Sequence, residues 1–119
     1  MRDLLKHLDS LSVHSDLGDA LLKSANELGE YQIIGGGLSY KALVLVTNSL
    51  PFAFAEGMNE IHFRLNPSMI KIAKETGSSL SFAGNDWVSF KPFRSDYPSV
   101  DLKFWSRKSY YYARNPDVI

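Results

Sequence analysis

Glu60, His62 and Arg64 alternate along the stretch Glu60-Ile61-His62-Phe63-Arg64. A strand's period of two would set all three on one face. A carboxylate two residues from an imidazole can orient it as a proton acceptor, and a guanidinium in the same row can hold an anion. Trp87 and Lys91 bracket the next strand candidate and complete a candidate small-anion site of Glu60, His62, Arg64, Trp87 and Lys91. The alternative is a solvated polar face on a half-buried hairpin. His7 and His14 stand apart from His62, and no histidine has a partner at metal-ligand spacing along the chain. No metal and no cofactor is expected. Cysteine is absent, which excludes disulfide frameworks, zinc–thiolate sites, iron–sulfur clusters and thiol catalysis. No Gly-x-Ser-x-Gly elbow occurs, so no catalytic residue is assigned, and the balance leans away from an enzyme.

A second constellation lies near the end, Phe104-Trp105-Ser106-Arg107-Lys108-Ser109-Tyr110-Tyr111-Tyr112-Ala113-Arg114. Read as a helix, Leu102, Trp105, Ser109 and Tyr112 fall on one face, and Phe104 and Tyr111 on the other. The second stripe is edged by Lys103, Arg107 and Arg114. Rings interleaved with cations suit a homodimer or protein interface through Lys103, Phe104, Arg107, Tyr111 and Arg114. They also suit base stacking with phosphate contacts, which ranks lower. The competing reading covers both faces within one subunit.

Other motifs are weaker. Gly35-Gly36-Gly37 lacks the spacing of either phosphate fingerprint and precedes a strand, so it reads as a turn or bulge. Glu56 and Asp86 are the carboxylates set in turns bordered by aromatics, where a pair could do general acid/base chemistry; Asp86 reads as a turn former. Thirteen basic residues balance thirteen acidic ones, which argues against a general nucleic-acid or membrane-surface binder. The halves differ: residues 1–60 carry four Lys/Arg against eight Asp/Glu, and residues 61–119 carry nine against five. A chain of 119 residues fits one domain, 1–119. No apolar run approaches the ~18 residues of a membrane span, and the opening residues lack a signal-peptide core, so a cytoplasmic location without membrane contact is expected.

The elements that position these residues follow from period and punctuation. Leu4, Leu5, Leu8 and Leu11 predict a first helix. Leu17, Leu21, Leu22, Ala25 and Leu28 predict a second, capped by Ser15 or Asp16 and stopped near Gly29. Strands are predicted at Tyr31–Ile34, Tyr40–Val46, Phe52–Ala55 and Ile61–Leu65, the last two forming a hairpin. In it Phe52, Phe54, Ile61, Phe63 and Leu65 share one face, opposite Ala53, Ala55, His62 and Arg64. Asn66, Pro67 and Gly77 mark the start and stop of a middle helix. Leu80 and Phe82 suggest an edge strand, and Trp87–Phe90 another. A closing helix runs from about Ser99 to Arg114. The fold class is α+β: an antiparallel sheet of about five strands with two N-terminal helices, one middle helix and one C-terminal helix.

The order from Phe52 onward, with Gly84-Asn85-Asp86-Trp87-Val88-Ser89-Phe90 and the terminal Ser109-Tyr110-Tyr111-Tyr112-Ala113-Arg114, resembles the small bacterial and fungal "luciferase domain" family of unknown function. More distantly it is similar to YjbR/MmcQ-type α+β domains. The resemblance spans about residues 38–114 and implies mainly the fold. Members of the first family often carry a His-rich segment before the Trp strand, where this chain has Ser78-Ser79-Leu80-Ser81-Phe82. YjbR-type domains have been likened to DNA-binding double-wing modules, and wings here would carry Glu56, Glu60 and Asp86, which repel phosphate. The expectation is a non-catalytic interaction or ligand-binding module, homodimeric through its last helix. The alternatives are an enzyme or anion binder on the hairpin's polar face, or nucleic-acid binding through the last helix.

Overall fold

The computed structural model describes residues 4, 8, 10–36, 41–93 and 100–115. In chain order these form α1 (Ser15–Ser24), β1 (Gln32–Gly36), β2 (Lys41–Thr47), β3 (Leu50–Glu56), β4 (Glu60–Arg64), α2 (Pro67–Glu75), β5 (Ser79–Leu80), β6 (Trp87–Phe90) and α3 (Leu102–Arg114). The class is α+β. The described residues give six strands rather than about five, in the order β1-β2-β3-β4-β6-β5, with every neighbouring pair antiparallel. They give three helices rather than four. Of the residues on which the first expected helix is placed, Leu4, Leu8 and Leu11 are described, and Leu11 lies outside any helix, its carbonyl accepting from Ala42 N–H at 3.1 Å. The end of the glycine run and the expected helix start near Ser99 lie outside the described residues.

Local signals explain most element ends. Asn66 caps α2 by accepting from Met69 N–H at 2.9 Å, with Pro67 in the first turn. Asp101 caps α3 by accepting from Phe104 N–H at 3.0 Å, which moves that helix's start from about Ser99 to Leu102. At α1 the cap is His14, not Ser15 or Asp16: its Nδ1 accepts from Asp16 N–H at 3.2 Å. That helix also stops at Ser24, short of Gly29. There Ser24 Oγ donates back to Leu21 O at 2.7 Å and contacts Ser106 Oγ at 2.8 Å, fastening α1 to α3. Gly35 (φ 77°) sits where the β1–β2 register shifts, the bulge expected of the glycine run.

Two irregularities set β3. Asn48 and Ser49 both have positive φ (53° and 62°), forming the two-residue turn that matches strand twist. Pro51 then stands in an interior strand, where the ladder has no place for it, and a bulge accommodates it: Val46 pairs with Pro51 but Leu45 with Ala53. Phe52 is the extra residue. Beyond it, the turn Gly57-Met58-Asn59 pairs Glu56 with Glu60, Phe54 with His62 and Ala53 with Phe63. The face assignment read from sequence is therefore corrected. Ala53 and Ala55 lie with Ile61 and Phe63, and Phe54 lies with His62, because one residue of register exchanges the faces of a strand.

One face of the sheet meets the helices. Phe52, Ala53, Ala55, Ile61, Phe63, Leu65, Val88 and Phe90 pack there with Leu17 and Leu21 of α1, Ala73 of α2, and Trp105, Tyr110 and Ala113 of α3. The opposite face is divided. Its apolar half gathers Leu8, Ala42, Val44, Val46, Phe54 and Trp87, with Leu4 and Leu11 against them. Its other half, over β4, β6 and β5, carries His62, Ser89 and Ser79, consecutive partners across the strands. The segment before α1 holds the hairpin tip: Gly57 N–H donates to Ser12 O at 2.7 Å and His14 N–H to Gly57 O at 2.9 Å. No described helix is long and apolar enough to cross a membrane.

Candidate functional site: a buried imidazole between two carboxylates

His62 is 1% exposed and its neighbours Ile61 and Phe63 are buried, while Glu60 and Arg64 at the ends of β4 are half-buried. Its ring lies parallel to Phe54 (centroids 4.2 Å apart, planes at 11°) with the Phe82 ring edge-on at 5.1 Å. These two rings fix its plane, and Trp87 backs Phe54 at 5.2 Å. Both ring nitrogens find partners. Nδ1 lies 2.7 Å from Ser81 Oγ, and Nε2 lies 3.3 Å from Glu56 Oε1 and 3.6 Å from Glu60 Oε2.

Ser81 Oγ accepts from Ala83 N–H at 3.1 Å and can still give or take a hydrogen at Nδ1, so the choice falls to Nε2, which faces two carboxylates that only accept. For a neutral ring the hydrogen then sits on Nε2 and is donated to Glu56. The carboxylates are brought together by the hairpin, since Glu56 and Glu60 are direct cross-strand partners. Like charges so placed repel. Lys91 answers part of this: its Nζ lies 3.2 Å from Glu60 Oε1, the oxygen turned away from His62. Glu56, Glu60 and His62 offer three donor atoms within 4.8 Å of one another, and the exposure of the side chains rises from 2% at His62 through 15% at Glu56 to 36% at Glu60.

Of the five residues expected to line a small-anion site, the fold brings together Glu60, His62 and Lys91, and sets Trp87 behind Phe54. Arg64 goes elsewhere. Its Nε donates to Asp86 Oδ2 at 2.7 Å and its guanidinium lies 4.9 Å over the Tyr112 ring. Asp86, expected only to form a turn, is thus also an ion-pair partner. Two contributors were missed by sequence. Glu56 has no place in the sequence-derived row because its relation to His62 depends on the length of the turn. Ser81 is 19 residues from His62 and carries no local signal.

The basic-aromatic helix is used mostly inward. The buried face of α3 is Trp105, Ser106, Ser109, Tyr110 and Ala113, shifted from the expected Leu102/Trp105/Ser109/Tyr112 stripe. Ser106 and Ser109 are small enough to let α3 approach its neighbours. The expected outer pair divides: Phe104 is half-buried, edge-on to Trp105 at 4.9 Å, whereas Tyr111 is 56% exposed. Lys103 Nζ pairs with Glu27 at 2.7 Å, and Arg114 Nη1 donates to Thr47 Oγ1 at 3.0 Å. The Lys103 hydrogen bond, and then its charge, hold the Glu27 carboxyl below the usual glutamate range. Arg107 and Lys108 face solvent, with the Lys108 ammonium 5.4 Å over the Phe104 ring.

Compared with family models, with curated proteins and with solved structures, the chain matches none.

Proposed function

We propose that this domain is a ligand-binding module whose site is the polar half of the sheet, centred on His62, and that its ligand carries positive charge. The observation that supports this reading is the buried imidazole nitrogen between two carboxylates at 3.3 and 3.6 Å. The anionic ligand expected from the Glu60–His62–Arg64 row loses its support. Arg64 is committed to Asp86 and Lys91 to Glu60, and the charged groups nearest the imidazole are the Glu56 and Glu60 carboxylates. A cation between Glu56 and Glu60 would relieve a repulsion that the hairpin register imposes.

A partner surface on α3 remains a second proposal, narrowed to Tyr111, Arg107 and the exposed edge of Phe104. Kinship to the luciferase-domain family likewise rests on the quoted strand and helix motifs.

Thermal unfolding in the presence of small amines, divalent cations and oxyanions tests the first reading. Cations are expected to raise the midpoint of the natural chain and to lose that effect in Glu56→Gln. Stabilisation by oxyanions alone would overturn it.

A further inference from the structure

Building on the cation-binding reading, we infer that Glu56, Glu60 and His62 form a three-donor site for a divalent transition-metal ion of the zinc or manganese class. The separations carry this. Ligands at about 2.0–2.1 Å from a tetrahedral ion stand about 3.3–3.4 Å apart. His62 Nε2 stands 3.3 Å from one carboxylate oxygen and 3.6 Å from the other. The remaining edge, within 4.8 Å, closes by a small rotation of Glu60, the most accessible of the three. One imidazole with two carboxylates suits zinc, manganese or iron(II) better than calcium or magnesium, which prefer oxygen alone. Three protein donors leave a further position open.

Two surrounding features fit an ion. Lys91 holds Glu60 by Oε1, so Oε2 stays turned toward His62, and the ammonium orients the carboxylate without occupying the ion's place. Ser81 stands at the far ring nitrogen, where a metal-bound histidine donates its other N–H. A third observation is independent of the cluster. Ser89, the direct cross-strand partner of His62 on the same face, is buried, and its hydroxyl has no hydrogen-bond partner among the described residues. A buried hydroxyl without a partner on that face calls for one, which water carried by an ion at the site would supply.

Metal binding requires a change of tautomer. The hydrogen on Nε2 gives way to the ion, the ring carries its hydrogen on Nδ1 instead, and Nδ1–H donates to Ser81 Oγ, whose own hydroxyl hydrogen turns away. The ring exchanges one N–H for another.

The experiment is calorimetric titration of the whole chain with zinc chloride and with manganese chloride, paired with long-range proton–nitrogen NMR of His62. One ion per chain is expected, with His62 passing from the Nε2–H to the Nδ1–H form. Glu60→Gln, at an accessible position where folding is not at risk, should weaken binding at least tenfold, and Ser81→Ala tenfold to a hundredfold. No binding to the natural chain, binding unchanged by Glu60→Gln, or an unmoved His62 tautomer would each overturn the metal site. If metals fail while organic amines still stabilise the chain through Glu56, only this inference falls. If both fail, the cation-binding reading falls with it.

Discussion

Phe54 and His62 face each other across β3 and β4 as direct partners, their rings parallel and 4.2 Å apart. The apolar half of the sheet face ends at one ring and the polar half begins at the other. Phe54 therefore supports the core and also fixes the plane in which the imidazole presents its nitrogens. Phe54→Ala should cost about 3–5 kcal/mol, the range for removing a fully buried phenyl group. Phe54→Leu should cost less and still loosen the His62 ring. Urea unfolding followed by tryptophan fluorescence measures the first effect. A loss below about 1 kcal/mol for Phe54→Ala would show that the ring pair is not packed as described.

The cross-strand pair Glu56–Glu60 leads to an unusual expectation. Glu56→Gln keeps an oxygen that can accept from His62 while removing one of two facing charges. With chelator present, the variant should be more stable than the natural chain by about 0.2–1 kcal/mol, and the gain should shrink as salt is added. Destabilisation by more than about 1 kcal/mol would assign Glu56 to holding the fold rather than a ligand.

Arg64 sits between Asp86 and Tyr112, joining β4 to the turn before β6 and to the last helix. Asp86→Ala should cost about 1.5–3 kcal/mol, as for a lost hydrogen bond to a charged group. Arg64→Lys should not rescue the site, since an ammonium reproduces neither the guanidinium's directed donor nor its stacking on a ring. A double-mutant cycle on the two positions should show coupling above about 0.5 kcal/mol. Strict additivity would mean the pair does not act as one unit.

Glu27 and Lys103 make an exposed link between the segment after α1 and the start of α3. The folded-state pKa of Glu27 is depressed, so the pair's contribution is present above the unfolded value and is lost as pH falls through the folded one. Carbon-detected titration should place the Glu27 midpoint below an ordinary glutamate's, and Lys103→Gln should return it. Added salt should have the same effect in part, because the pair is solvated.

How far the sequence foretold this arrangement depends on the range of each signal. The middle helix was legible to its ends because Asn66, Pro67 and Gly77 act on their immediate neighbours. The row of Glu60 and His62 was legible because alternation is local, and Lys91 was placed with it. Glu56 and Phe54 were not, since their face is decided by pairing across a three-residue turn and by the extra residue at Phe52. Ser81 and the Arg64–Asp86 pair arise from strands meeting in the sheet, which no spacing along the chain reveals. The buried stripe of α3, expected through Leu102 and Tyr112, turns instead through Ser106, Tyr110 and Ala113, because Ser106 looks polar in sequence. It lies inward where close approach of helices favours small side chains.

The bulge at Phe52 has a consequence for how the two ends of β3 can vary. Toward Asn48 and Ser49 the strand keeps one alignment with β2, and toward Phe54 and Glu56 it keeps another. Lengthening or shortening at the Asn48–Ser49 end can be absorbed at Phe52 before it reaches the residues that meet the imidazole. The opposite end has no such buffer: one residue more or less between Glu56 and Glu60 would turn one carboxylate toward the helices and dismantle core and site together. The hairpin tip is thus the constrained end of the strand, and the other end is free to change.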